Sequence, residues 1–228
     1  MIEILEAGLA PHYVPYLDGW ALQRRIHTDV VTGTRADTLI VLEHESVYTA
    51  GTRTQEADRP RDGIPVVDVD RGGRITWHGP GQLVGYPIIR LAEPIDVVAH
   101  VRRLERVLIA ALRVHGVDGR QVEGRSGVWV RGPLSDNKIA AIGVRVEKGV
   151  TMHGFALNCS NALDAYDRIV PCGIRDAGVT TLSRVLGRTV TPADVVPLLR
   201  PHLVRALSSN GSAMPSTPPA LHAAGARA

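Results

Sequence analysis

The 228 residues are enough to bury one substantial core, and 44% of them are hydrophobic, but only 4% are aromatic, with Phe155 the single phenylalanine, so that core must be mainly aliphatic. A formal charge of +3, with no run of Lys and Arg interleaved with aromatics, argues against nucleic acid as a ligand and suggests at most an acidic protein partner. Two cysteines, no apolar run long enough for a bilayer and no charged-then-apolar leader exclude a disulfide framework and a membrane span, and lead us to expect a cytoplasmic chain with reduced thiols.

Along the chain, Val14, Leu17, Ala21, Leu22 and Ile26 fall at helical spacing and predict a helix within residues 11–35. The short apolar, β-branched run at 38–44 predicts a buried strand, and 65–70 predicts another beyond a polar loop at 53–63. A glycine-dense turn region follows. Val97, Val101, Leu104, Leu108, Ala111 and Leu112 mark a helix over 96–115, with Asp96 as N-cap, Gly116 at the far end, and Arg102, Arg103 and Arg106 on a solvated face. Strands are predicted at 127–130 and 139–146, joined by a loop at 131–137 of hairpin composition, so that Lys138 sits where loop enters strand. A strand at 152–158 and short helices at 161–168 and 180–186 come next. The last helix, opened by Thr191 and Pro192, runs to about Leu207, with Pro197 and Pro201 as points of kinking. From 208 to 228 the composition turns to Ser, Gly, Pro and Ala without periodicity, as in a disordered tail. One domain over 1–207 is therefore expected.

The chemistry-bearing pair is Lys138 and Cys172. A thiol is a strong nucleophile only as thiolate, and a nearby ammonium lowers its pKa from about 8.5 toward neutrality. Lysine is also the rare cation here, since among 26 basic residues only Lys138 and Lys148 are lysines, and lysine, unlike arginine, can be tuned to release and retake a proton. Taken alone, Cys172 reads as a small buried hydrophobe and Lys138 as a solvated loop residue, but Pro171 and Gly173 put the cysteine on an irregular turn. Cys159, after Phe155-Ala156-Leu157, reads as core, and a disulfide with Cys172 is disfavoured by compartment. His78 and His153 fit a core or a site equally. The segment from Arg71 to Gln82 holds four glycines and a proline but matches neither a Walker loop nor GxGxxG, so tight hairpins are the first reading of it. No HExxH, CxxC or paired-histidine spacing calls for a metal, and no cofactor is expected.

The chain resembles the lipoyl(octanoyl) transferases of lipoate biosynthesis. The blocks that carry the resemblance are Leu42-Glu43-His44 with Tyr48-Thr49-Ala50-Gly51, the run from Asp70 to Pro87, Arg125-Ser126-Gly127-Val128-Trp129, the run from Lys138 to Gly143, the run from His153 to Asn158, and Pro171-Cys172-Gly173-Ile174. They appear in order across roughly residues 40–187. The resemblance implies an α/β fold of α+β type, a mixed β-sheet flanked by helices like the catalytic domain of biotin and lipoate protein ligases. It implies transfer of octanoyl from octanoyl-acyl carrier protein to one lysine of the lipoyl domains of 2-oxoacid dehydrogenases and of the glycine-cleavage H protein, by a monomer. Cys172 matches the family's acyl-thioester nucleophile and Lys138 the lysine that lowers its pKa. Arg71, Gly72, Gly73, Arg74, Ile75, Thr76, Trp77 and His78, with Ala141, Ile142 and Gly143 and with Gly154, Phe155 and Ala156, match its acyl-binding segments. An ATP-dependent lipoate or biotin ligase on the same fold is the alternative, and would need no cysteine; a non-catalytic carrier-binding module is a third reading, in which Lys138 and Cys172 are incidental.

Overall fold

The computed structural model describes residues 2–169 and 177–208. Cys172 and its neighbours Pro171, Gly173 and Ile174 lie outside the described residues, as does the expected tail beyond Ser208. The elements in chain order are β1 (Glu3–Gly8), α1 (Tyr16–Thr32), β2 (Thr38–Leu42), β3 (Val47–Ala50), β4 (Val66–Asp68), β5 (Thr76–His78), β6 (Gln82–Ile88), α2 (Val97–Val114), β7 (Arg120–Val122), β8 (Arg125–Arg131), β9 (Asp136–Glu147), β10 (Val150–Asn158), β11 (Gly178–Val179), α3 (Leu182–Leu186) and α4 (Pro192–Ser208).

The main sheet runs β1-β2-β6-β10-β9-β8-β7, with β11 beside β9, and β4-β3-β5 form a second, small sheet. Because β1 lies parallel to β2 and β11 to β9 while the other neighbours are antiparallel, the sheet is mixed, as expected. Helices cover both faces, and β2 shows why its sequence is apolar without alternation. Leu39 and Val41 join the core beneath α2 and α4, built with Leu104, Leu108, Leu112, Leu199 and Leu203. Ile40 and Leu42 face the other way, against Ile26 and Val30 of α1.

Several elements differ from the sequence reading, each for a physical reason. The stretch read as glycine-dense turns, Arg71 to Gln82, contains β5 and leads into the central strand β6, which was not expected. Gly85 tolerates no side chain there because a Cβ would overlap the Phe155 ring, and the hydroxyl of Thr151 takes over ladder bonds near Pro87, donating to its carbonyl at 2.6 Å and accepting from Ile89 N–H at 3.0 Å. β1, β3, β7 and β11 were not expected, and the helix at 161–168 is a single 3-10 turn, Asp164–Arg168. α1 forms, but buries Tyr16, Gly19, Gln23, Ile26 and Val30, leaving Leu17 60% exposed. α2 is capped as expected, Asp96 Oδ1 accepting from Ala99 N–H at 2.8 Å. Its Arg102, however, is held at 2.8 Å by the fully buried Glu105 rather than left to solvent. α4 continues through Pro197 and Pro201. Among the described residues no helix is long and apolar enough to cross a membrane.

Candidate active site

A cavity of about 330 Å³ opens on the α1 face of the main sheet, roofed by the loop that leads into β5. Its floor is β9 and β10, where Gly143 pairs with Gly154 and Ala141 with Ala156, so the smallest side chains of the sheet meet where the space is. Gly143 has no room for a Cβ, since Arg71 Cδ would lie 2.9 Å away; the roof rests directly on the floor.

Arg71 is the peg of that roof. Buried, it donates through Nη1 to the carbonyls of Gly72 (3.1 Å) and Arg74 (2.9 Å) and through Nη2 to the carbonyl and hydroxyl of Thr49 (2.7 and 2.8 Å), fixing the glycine loop onto β3. His78 follows on β5, its Nδ1 2.8 Å from Gln82 Oε1. Gln82 Nε2 already donates to Asn158 Oδ1 and to the Tyr166 hydroxyl oxygen, so Oε1 must accept and His78 carries its proton on Nδ1. Burial pushes the His78 pKa down to about 3, keeping the ring neutral.

His153 also lines the cavity, in an unusual way. Its φ of +58° turns the ring toward α1, whose Gln23 accepts the His153 backbone N–H at 2.9 Å. The ring Nε2–H donates to Asp70 Oδ1 at 2.7 Å, a bond that holds the Asp70 carboxyl below its usual range, while burial lowers the pKa of His153 itself. Behind this wall His44 Nδ1–H donates to the Val14 carbonyl, so its Nε2 accepts the Tyr86 hydroxyl, both at 2.7 Å, and burial brings its pKa to about 4.

Lys138 owes its position to a bulge. Val128 of β8 pairs with Ala140 and Trp129 with Lys138, so Ile139 is the extra residue and Lys138 shares the face of Trp129, opposite to Val128 and Ala140, which sit in the core under α2. Without the bulge, Lys138 would lie on the core face with Ala140. It is 6% exposed, its Nζ stands 4.8 Å from the centre of the Trp129 ring, and it meets no hydrogen-bond acceptor among the described residues. Gly127, at φ +107°, passes its backbone along the lysine stem, and Glu105 Oε1 accepts the Gly127 N–H at 2.9 Å. The backbone of Lys138 is bound on its other side by β11, where Val179 is its Cα partner and Thr180 N–H donates to the Lys138 carbonyl at 3.0 Å.

Of the residues singled out from sequence, Arg71, Gly72, Gly73, Arg74, Thr76, His78, Ala141, Ile142, Gly143, Gly154, Phe155 and Ala156 are brought around the one cavity. Ile75 and Trp77 are not; they pack with Tyr48 and Tyr166, and Trp77 Nε1 donates to Ser46 Oγ. Lys138 does not line the cavity; its stem packs against Gly127, the residue after the lining Ser126. Sequence reasoning did not single out Tyr16, Tyr86 or Arg53; Tyr86 lies in a block that carried the resemblance, whereas nothing in the spacing of Tyr16 marks it. Cys159 is fully buried and its pKa is driven up by burial, so it is a core thiol and no nucleophile. No cluster of metal-ligating side chains is present among the described residues.

The family model described as the lipoyl protein ligase A/B catalytic domain matches residues 15–204. The chain is 71% identical over 233 residues to an octanoyltransferase of Clavibacter sepedonicus, with 100% of both chains covered. It is 62% identical over 201 residues to an octanoyltransferase of Leifsonia xyli subsp. xyli, covering 87% of this chain and 90% of that one. In fold it is similar to a bipartite lipoate protein ligase of Thermoplasma acidophilum, with TM-score 0.66 and 16% identity over 91% of this chain and 83% of that one. It is also similar to LipL1 of P. falciparum in complex with lipoate, with TM-score 0.70 and 12% identity over 94% and 65% of the two chains.

Proposed function

Because the chain belongs to the family of lipoyl protein ligase A/B catalytic domains and matches octanoyltransferases along its length, we propose that this octanoyltransferase takes its acyl group from octanoyl-acyl carrier protein and delivers it to a lysine of lipoyl domains through a thioester on Cys172. The acceptors are the lipoyl domains of 2-oxoacid dehydrogenases and the glycine-cleavage H protein. The catalytic domain spans residues 1–207 and acts in the cytoplasm, as a monomer.

The observation that carries this reading is the Lys138 ammonium, buried beside the bulge with no acceptor among the described residues and strand-paired to Val179. The chain leaves the described residues at Ile169 and returns at Ala177, next to β11. Six residues separate Cys172 from Val179, a span of at most about 25 Å of extended chain, so the tether keeps the thiol within reach of the lysine. A thiolate there would satisfy the ammonium.

In the first half-reaction the Cys172 thiolate attacks the thioester carbonyl, the Lys138 ammonium stabilises the oxyanion, and the carrier leaves as thiol by taking a proton from Lys138. One thioester replaces another, so no ATP is spent. In the second, the acceptor lysine, having lost its first proton to water, attacks as amine. Neutral Lys138 takes the second proton, and Cys172 leaves as thiolate, restoring the starting pair. The test is transfer of octanoyl from the carrier to a purified lipoyl domain without ATP; modification only when ATP and free octanoate are supplied would assign the chain to ligase chemistry instead.

A further inference from the structure

The cavity carries more positive charge than a neutral acyl chain can use. Arg53, Arg71, Arg74 and Arg125 line it, and among the described lining residues there is no Asp or Glu. A pocket lined by one sign of charge concentrates counter-ions of the other, so an anion is expected to arrive together with the acyl group.

The arginines are not equivalent. Arg71 is buried and directed at backbone carbonyls, which makes it a loop anchor. Arg53 is exposed, and none of the ion pairs among the described residues uses it. Its backbone is nevertheless fixed. Arg53 N–H donates to the Gly73 carbonyl at 3.0 Å and Thr52 N–H to that of Arg71 at 3.1 Å. At Gly51 a Cβ would come within 2.5 Å of the Gly73 oxygen, so the two loops touch. Arg74 lies on the facing loop, its Nη1 3.5 Å from Asp58 Oδ2, a long contact that leaves the rest of the guanidinium available. Both residues line the one cavity from loops whose backbones are joined, and each guanidinium offers the paired N–H donors that suit phosphate oxygens.

We infer that Arg53 and Arg74 form a phosphodiester subsite at the mouth of the cavity, which holds the phosphate of the carrier's thioester-bearing arm while the acyl chain lies over the floor of β9 and β10. This rests on the thioester donor proposed above. An acyl adenylate also carries a phosphate, so the experiment must separate the two sources.

Steady-state transfer to a lipoyl domain is measured for the wild type, Arg53→Ala, Arg53→Lys and Arg53→Glu with three donors: octanoyl-acyl carrier protein, octanoyl-phosphopantetheine without the protein, and octanoyl-N-acetylcysteamine, which keeps the thioester but lacks the phosphate. The expected result for Arg53→Ala is a fall of about tenfold in kcat/KM on both phosphate-bearing donors relative to the phosphate-free one, expressed in KM, with a larger fall for Glu and partial recovery for Lys. Equal losses on all three donors overturn the subsite, as does a loss confined to the intact carrier, which would mark a protein–protein contact, or, in a parallel reaction of the same proteins supplied with ATP and free octanoate, a loss confined to that reaction, which would mark an adenylate. If the wild type uses no thioester at all, the donor reading fails and the subsite with it, a result distinct from the other three.

Discussion

Glu105 is the buried group whose removal should reach furthest. It is fully buried on α2, and its carboxylate accepts three bonds, from Gly127 N–H (2.9 Å), Arg102 Nη1 (2.8 Å) and Gln121 Nε2 (2.7 Å). In Glu105→Ala the Arg102 and Gln121 side chains can turn to water, being partly exposed, but the Gly127 N–H is buried and cannot. An orphaned buried donor costs about 1–3 kcal/mol. Adding the lost charge-assisted bonds and the void left by the side chain brings the total to about 2–4 kcal/mol. In a chain of this size that lowers Tm by on the order of 10 °C. Glu105→Gln keeps an acceptor for Gly127 and loses only the two outer contacts, so its cost should be well under half as large. Because Gly127 runs along the stem of Lys138, Glu105→Ala should also slow acylation at temperatures where it is fully folded. Thermal and urea unfolding of the three proteins measure the first effect, and single-turnover acylation the second. Equal losses for Ala and Gln, or losses below about 1 kcal/mol for both, would refute the reasoning.

Two further outcomes follow from the same geometry. His44, His78 and His100 are held neutral by burial, with pKa values of about 4, about 3 and about 4, against an unfolded value near 6.5. The unfolded chain therefore protonates first; stability from these groups is intact above pH 6.5 and is lost as pH falls from there toward 4, with uptake of about three protons on unfolding near pH 5.5. Urea midpoints across that range measure it, and an uptake below one proton would contradict it. Gly154→Ala drives a Cβ into the Gly85 carbonyl of β6 and should cost more than about 3 kcal/mol, whereas Gly124→Ala, at φ +72° with open space around it, should cost only about 1 kcal/mol. Equal costs by urea unfolding would refute the contact.

The helix α2 was legible because it buries one regular face and Asp96 announces its cap in sequence, and the paired strands β8, β9 and β10 because each carries a continuous apolar run that the sheet buries. β6 was not, because Gly85 and Pro87 are strand-breaking residues that the fold tolerates only through Phe155 and Thr151, side chains some seventy residues away in sequence. The segments that line the cavity were legible through their resemblance to a family, not through periodicity, and the structure adds that Ile75 and Trp77 of those segments face a hydrophobic cluster. The bulge at Ile139 has no local signature, although it alone decides which face Lys138 joins. Arg53 was invisible for a similar reason, since its approach to the cavity depends on backbone bonds to Gly73 across the chain.

The central claim is a covalent octanoyl intermediate on Cys172 promoted by Lys138. Intact mass after mixing the protein with octanoyl-acyl carrier protein, without ATP, tests it most directly, with Cys172→Ser and Lys138→Ala alongside. The account predicts one octanoyl increment in the wild type, none in Cys172→Ser and slower formation in Lys138→Ala. An increment that persists in Cys172→Ser, or none in the wild type while a lipoyl domain is still modified, would contradict it.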